Sequence, residues 1–425
     1  MARYWPLLVA TVALACAAEG QLPCSSQARA DAAQVAAVRA NLRSIKLNEE
    51  EADDEVPKDA QDGILQLKSA LERTVRDFLA CEPQAIDAAK LESELATLLN
   101  ANPPQPAAGA VVTNRDKRYT EWQSFGYGRN LLVHAKLLSG TLLTVELKFH
   151  IPCGDDNVLM IFEHEQSSWQ ERLVWQAKPY SQISGAFGDI FEWSVLPGNE
   201  REPWRIVVVR GHPWCTSRFS GLDMELLEPA ADPNDPRIVW HTQRQYSRGE
   251  YGERLRTTAD GFEFRVNAAA IGVDDYERTV IYRYRVSGDD VTRVQPIATN
   301  GRGFVDEWLS SPWSEAASQT YVSHLADLKR IHTEFNEPIK QDDRTFVQWT
   351  HGPVVACKIQ GQYQVAMKLD RETMVPSKLG GDEQPLPAKY FLIQHVENGY
   401  QMLSASAAKS PECGGADLIR SGTSQ

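Results

Sequence analysis

The chain lacks the short sequences that most often mark an enzyme. It has no Gly-x-Ser-x-Gly to hold a nucleophilic serine on a strand-to-helix elbow, no His-Glu-x-x-His to hold zinc on a helix, and no Ser-x-x-Lys with the companion motifs of a penicillin-binding site. Glycine pairs at 126 and 128 ("FGYGRN") and at 301 and 303 ("NGRGFV") lack the third glycine and lie outside any strand-to-helix unit, so a dinucleotide site is excluded and no cofactor is expected. Positive charge is scarce. With 44 Lys and Arg against 57 Asp and Glu, the net charge is −13, which argues against nucleic acid or an anionic membrane surface as a partner. No run of 18 apolar residues occurs beyond the N-terminal region, and none of the 13 asparagines sits in an Asn-x-Ser/Thr sequon.

Residues 1–20 carry one basic residue, Arg3, then an apolar stretch from Leu7 to Ala18 and small residues, the layout of a secretory signal peptide. Cleavage after Ala18 or Gly20 would discard Cys16; alternatively Leu14-Ala15-Cys16 looks like a bacterial lipoprotein box and Cys16 would be lipidated. A lipid there would be the chain's one link to a membrane. Either exit leaves six cysteines, Cys24, Cys81, Cys153, Cys215, Cys357 and Cys413. An even number in an exported chain favours disulfides, and one pair falls in each third of the chain, which predicts Cys24–Cys81, Cys153–Cys215 and Cys357–Cys413. The expected location is secreted or periplasmic.

Residues 21–101 read as a helical segment. Val35, Val38, Leu42 and Ile45 recur at spacings of three and four, as do Ile64, Leu67, Leu71, Val75 and Phe78, and then Leu91, Leu95 and Leu98. The acidic stretch 49–59 between the first two stripes reads as a solvated loop. Residues 102–112 are a proline-rich linker. Over 113–228 the period changes to two: in "TVELKFHI" Val145, Leu147, Phe149 and Ile151 share a face opposite Glu146, Lys148 and His150, and short strands recur towards 227, predicting an antiparallel β-sandwich-like domain. After "EPAADPNDPR", residues 238–425 read as strands, a helix starting at Ser311-Pro312 with a stripe from Val322 through Leu325, Leu328, Ile331 and Phe335, and closing strands, a mixed α+β region with a subdivision near 312. The expected fold class is therefore multi-domain α+β. No internal repeat has a fixed period.

The densest group of potential metal ligands is "FHIPCGDDNVLMIFEHE" (149–165), with His150, Cys153, Asp155, Asp156, Glu163, His164 and Glu165. Zinc needs three or four ligands converging at about 2.0–2.3 Å. Strand alternation sends His164 to one face with Met160 and Phe162, and Glu163 and Glu165 to the other, so the stretch is read as a hairpin with polar ends and no metal site. Among acid pairs, "DDYE" (274–277) and "VDEW" (305–308) mix carboxylates with an aromatic ring, but they are read as solvated loop or helix-start positions. Of the 11 tryptophans, Trp122, Trp169, Trp204, Trp214 and Trp313 fall at strand ends, in turns or beside a proline, where a ring stacks on a sugar or grips a partner.

Missing catalytic motifs, together with export signals, paired cysteines and aromatic-rich strands, predict a non-enzymatic binding or interaction protein. Its expected partner is an extracytoplasmic protein or a glycan. The alternative is an extracytoplasmic glycosidase-like hydrolase, recognisable by two carboxylates, one with a raised pKa, facing each other in a tryptophan-lined cleft.

Overall fold

The computed structural model describes residues 22–45, 55–82, 86–100, 126–165, 168–186, 190–198, 203–212, 219–247, 255–271, 277–337, 345–373 and 387–419. The leader 1–20 with Cys16, the linker 102–112 and Trp122, Cys215 and Trp214 lie outside them. The chain divides into two compact units, Met1–Arg244 and Gln245–Gln425. Among the described residues their elements are helices and four antiparallel four-stranded sheets.

In the first unit, helices α1 (Leu22–Ser44) and α2 (Lys58–Leu79) run antiparallel, with Arg73 of α2 reaching Gln34 and Asp31 of α1. Leu42 packs onto Gly63, where a Cβ would lie 2.7 Å from the Leu42 Cδ2, so any larger residue would displace the Leu42 side chain. Helix α3 (Ala88–Asn100) starts at Asp87, whose carboxylate accepts from the backbone N–H groups of Ala89 and Lys90. Strands β1 (Arg129–Ser139), β2 (Leu142–Ile151), β3 (Gly154–Glu165) and β4 (Ser168–Gln176) form one meander. Strands β5 (Phe191–Leu196), β6 (Arg205–Gly211), β7 (Phe219–Glu228) and β8 (Arg237–Ser247) form a second.

The expected apolar face Val145, Leu147, Phe149 and Ile151 packs with Val158, Met160 and Phe162 of β3 and with the stripes of all three helices in one core. The reverse face, Leu159, Ile161, Leu173 and Trp175, packs against Ile206, Val208 and Leu227 of the second sheet. Strand β3 is thus buried on both faces, which is why its sequence is a continuous apolar run. Both free edges of the first sheet are covered: Glu92 and Asn100 of α3 bond the backbone of β1 at Ala135 and Leu131, and the Val174 N–H of β4 donates to the Pro233 carbonyl.

The second unit has a meander of β9 (Leu255–Thr258), β10 (Gly261–Ala269), β11 (Glu277–Ser287) and β12 (Asp290–Arg293), then helices α4 (Gly301–Ser310), α5 (Trp313–Ala316) and α6 (Leu325–Asn336). A last meander joins β13 (Thr345–Ala356), β14 (Gln362–Thr373), β15 (Ala388–Val396) and β16 (Gly399–Ser406). Phe304, Val305, Trp308, Leu328 and Ile331 pack on Val354, Met367, Phe391, Ile393 and Met402. A helix does start at Ser311-Pro312, the short α5 with Pro312 as its N-cap, but the sequence reading misses α4 before it, which Asn300 caps by accepting from the Gly303 N–H. Val322 precedes α6 and is 77% exposed, so it leaves the predicted stripe.

The expected Cys357–Cys413 bridge is present and holds the C-terminal segment, which also bonds β13 through Gly414 to Ala356 and Leu418 to Val354. Cys153 is disulfide-bonded, and its expected partner Cys215 lies outside the described residues. The Cys24–Cys81 expectation is corrected: Cys81 is a free thiol. Its Sγ turns back to donate to the Asp77 carbonyl at the end of its own helix, 3.5 Å away. The Cys24 side chain is outside the described residues. Among the described residues no helix is long and apolar enough to cross a membrane.

Candidate carboxylate site along helix α2

One flank of α2 carries Gln61, Leu65, Lys68, Glu72 and Arg76 at spacings of four, three, four and four, so they follow one another up a single stripe. The stripe faces β4 and the chain that continues from it. At its middle Lys68 is 2% exposed and pairs with the fully buried Asp156 at 2.8 Å. Its ammonium also donates to the Ala177 carbonyl and lies over the Tyr180 ring, while the Tyr180 hydroxyl donates to Asp156 Oδ2 at 2.8 Å. Burial, and then the Asp156 charge, push the Tyr180 phenol well above its ordinary pKa. One hydroxyl donor and one cation therefore balance one interior carboxylate.

One turn further on, the balance reverses. Arg76 Nη1 lies 3.3 Å from Glu72 on its own helix and 3.5 Å from Glu171 on β4, so one guanidinium serves two acids. The oxygens that meet Arg76 are therefore no more than about 7 Å apart, which places the two carboxyls side by side. Glu171 is 7% exposed, its Oε1 has no hydrogen-bond partner among the described residues, and burial together with the Glu72 charge pushes its pKa up to about 7 against the opposing pull of Arg76. Asn234 donates to Glu72 Oε1 at 3.2 Å, and Arg76, 46% exposed, is the site's face to solvent. A carboxyl protonated near neutral pH beside an arginine-bound carboxylate is an acid and a base held side by side.

Below the pair, the same stripe enters a cavity of about 120 Å³ lined by Lys58, Gln61, Asp62, Lys68, Lys178 and Tyr180, with Leu65 and Pro179 on its wall.

The residues singled out from sequence fall elsewhere. Trp169 is buried in the core beside the helices, two residues before Glu171; Trp204 packs against the core between the two sheets; and Trp313 packs edge-on against Trp308 in the second unit. In the 149–165 stretch the acids meet basic side chains: Asp155 contacts Lys148 and His150, Asp156 pairs with Lys68, and Glu163 and Glu165 pair with Arg172. His164 does share a buried face with Met160 and Phe162, and its ring meets Trp169 edge-on. In "VDEW", Asp306 accepts from His351 at 2.5 Å and Glu307 is clasped by Arg278 and Arg293, so this acid pair is neither solvated nor free. Of "DDYE" only Glu277 is described, and it accepts from Ser247 and Asn267.

Sequence reasoning missed Glu72 and Glu171. Counting by twos from Val174 places Glu171 on the face of Leu173 and Trp175, away from the helices. A register shift where Ile161 and Phe162 pair with β4 inserts one residue and turns Trp169 and Glu171 to the helix side, opposite Phe162. The only signal of it is the polar run Gln170-Glu171-Arg172 between apolar residues.

No protein-family profile and no curated protein matches the chain. Among solved structures it is similar to an α-L-arabinanase of Penicillium chrysogenum complexed with arabinobiose, at 13% identity and TM-score 0.25, covering 67% of this chain and 69% of that one. It is also similar to an α-L-arabinofuranosidase of Fusarium graminearum with arabinobiose, at 9% identity and TM-score 0.27, covering 64% of this chain and 66% of that one. The chain thus spans about two thirds of these proteins. At such TM-scores the likeness carries no argument for activity, which has to rest on the carboxylates. The expectation of a non-enzymatic binding protein finds no support in these comparisons, in which the similar solved structures are an α-L-arabinanase and α-L-arabinofuranosidases.

Proposed function

We propose that the protein is an exported hydrolase of glycosidic bonds, with Glu171 as the acid and Glu72 as its partner carboxylate. The observation that supports this reading is the shared Arg76: two glutamates meet on one guanidinium, and Glu171, the more buried, titrates near 7. Glu171 in its protonated form gives its proton to the leaving oxygen. Glu72, paired with Arg76 and bonded by Asn234, serves the anomeric carbon either directly or through water. The tryptophan-lined cleft that such enzymes use to grip sugars is not formed by Trp169, whose ring is buried; the polar stripe of α2 takes that place in this reading.

Export is part of the proposal: the 1–20 leader is removed, or Cys16 is lipidated, and the disulfides form outside the cytoplasm.

The test is turnover. The mature chain is assayed against a panel of nitrophenyl glycosides and soluble polysaccharides with a reducing-end readout. Turnover on at least one substrate, falling at least about 100-fold in both Glu171→Gln and Glu72→Gln while circular dichroism is unchanged, supports the assignment. Equal turnover in wild type and variants, or none on the whole panel, overturns it.

A further inference from the structure

We infer that the cavity below the carboxylate pair is a subsite for a negatively charged sugar residue, so that the substrate is an acidic glycan; the inference rests on the hydrolase reading for its link to catalysis. The chain carries a net charge of −13, and a random surface cavity would share that sign. This one brings together Lys58, Lys68 and Lys178. Lys68 is neutralised by Asp156 and Lys58 pairs with Asp62, whereas Lys178, exposed at the rim, has no acid partner among the described residues. One uncompensated cation matches one carboxylate.

The remaining wall suits a sugar ring better than a bare ion. Leu65, Ile64 and Pro179 offer apolar surface to the C–H face of a pyranose, while Gln61 and Tyr180 place polar groups beside it. Lys68 belongs to the cavity and Glu72 lies one helical turn above it, a rise of about 6 Å, which is close to the length of one sugar unit. A residue seated in the cavity therefore leaves its glycosidic link at the height of the two glutamates.

The experiment titrates the full mature chain by calorimetry with methyl β-D-glucuronide, methyl β-D-glucoside and inorganic phosphate. The glucuronide is expected to bind at least ten-fold more tightly than the glucoside, to lose that advantage in Lys178→Gln, and to keep it in Glu171→Gln. Phosphate is expected to compete poorly, because it has no ring to fill the apolar wall. Equal binding of the two sugars, or an unchanged preference in Lys178→Gln, overturns the proposal. Phosphate binding as tightly as the glucuronide reduces the site to a simple anion site and overturns it as well. Failure of the two readings is separable. Glucuronide selectivity that depends on Lys178 in a protein without turnover defeats the hydrolase and leaves the subsite, while turnover confined to neutral glycosides defeats the subsite and leaves the hydrolase.

Discussion

Glu171 in the first unit and Glu307 in the second are both buried glutamates with arginine beside them, and they titrate in opposite directions. Burial alone raises both. Around Glu307, Arg293 and Arg278 outweigh it: the two guanidiniums lie 2.6 and 2.5 Å from its two oxygens, and its pKa falls below the usual carboxylate range. Arg293 is held in turn by Glu315 at 2.9 Å and by Ser311. Around Glu171 there is one arginine, half in solvent and shared with Glu72, and the pKa goes up to about 7. The difference is in how many cations touch the glutamate itself. Glu307 is touched by two guanidiniums, one of them shared with Glu315, and is pinned as a carboxylate, whereas Glu171 is touched by one, shared with Glu72, and keeps a proton to exchange near neutrality.

The sharpest way to break the contrast is to unbalance the pin. Arg293→Met leaves Glu307 with one partner in the interior and is expected to cost the second unit about 3–5 kcal/mol, read as a lowered urea midpoint; a loss under 1 kcal/mol would contradict its role. Next in size, Cys413→Ser opens a bridge closing residues 56 apart. A loss of about 2–4 kcal/mol is expected in the second unit, with the segment after Ala408 becoming protease-sensitive and the first unit melting as before.

Opposite pH signatures should follow at the two glutamates. The folded pKa of Glu171 is raised above its unfolded value, so ionising it costs stability as pH climbs from about 4.3 through 7. Glu171→Gln is therefore expected to stabilise the first unit by about 1–3 kcal/mol at pH 8 and by little at pH 4, as urea midpoints across that range would show. For Glu307 the folded pKa is depressed, so its contribution is present above about 4.3 and is lost as pH falls. Glu307→Gln should weaken the second unit at pH 7 and matter progressively less in acid. The same pH dependence from both variants would erase the distinction between pin and site. The smallest expected effect is at Asn234, whose bond to Glu72 is exposed: Asn234→Ala should change stability by under about 1 kcal/mol while lowering turnover more than substrate binding.

Local pattern carried much of the architecture. The spacings of Val35, Val38 and Leu42 and of Ile64, Leu67, Leu71 and Val75 specify amphipathic helices that the structure buries on one side, and the alternation from Val145 to Ile151 gives the helix-facing side of β2. Alternation also separates His164 from Glu163 and Glu165. That every sheet is a four-stranded meander was not legible, because the shared shape comes from short antiparallel connections and not from any repeated residue.

The sequence by itself determined the helical stripes of α1 and α2, the alternating face of β2 and the Cys357–Cys413 bridge, because periodicity and loop length are properties of the chain; α4 escaped that reading and parity misassigned Cys81. Only the tertiary structure decided the candidate site. The register shift in β4 turned Glu171 to the helix side, the crossing of α2 over β4 set Glu72 and Arg76 beside it, and burial raised its pKa. The charge of a buried acid depends on how many cations the fold brings within reach, and residues 72, 76 and 171 meet only once the sheet has chosen its register.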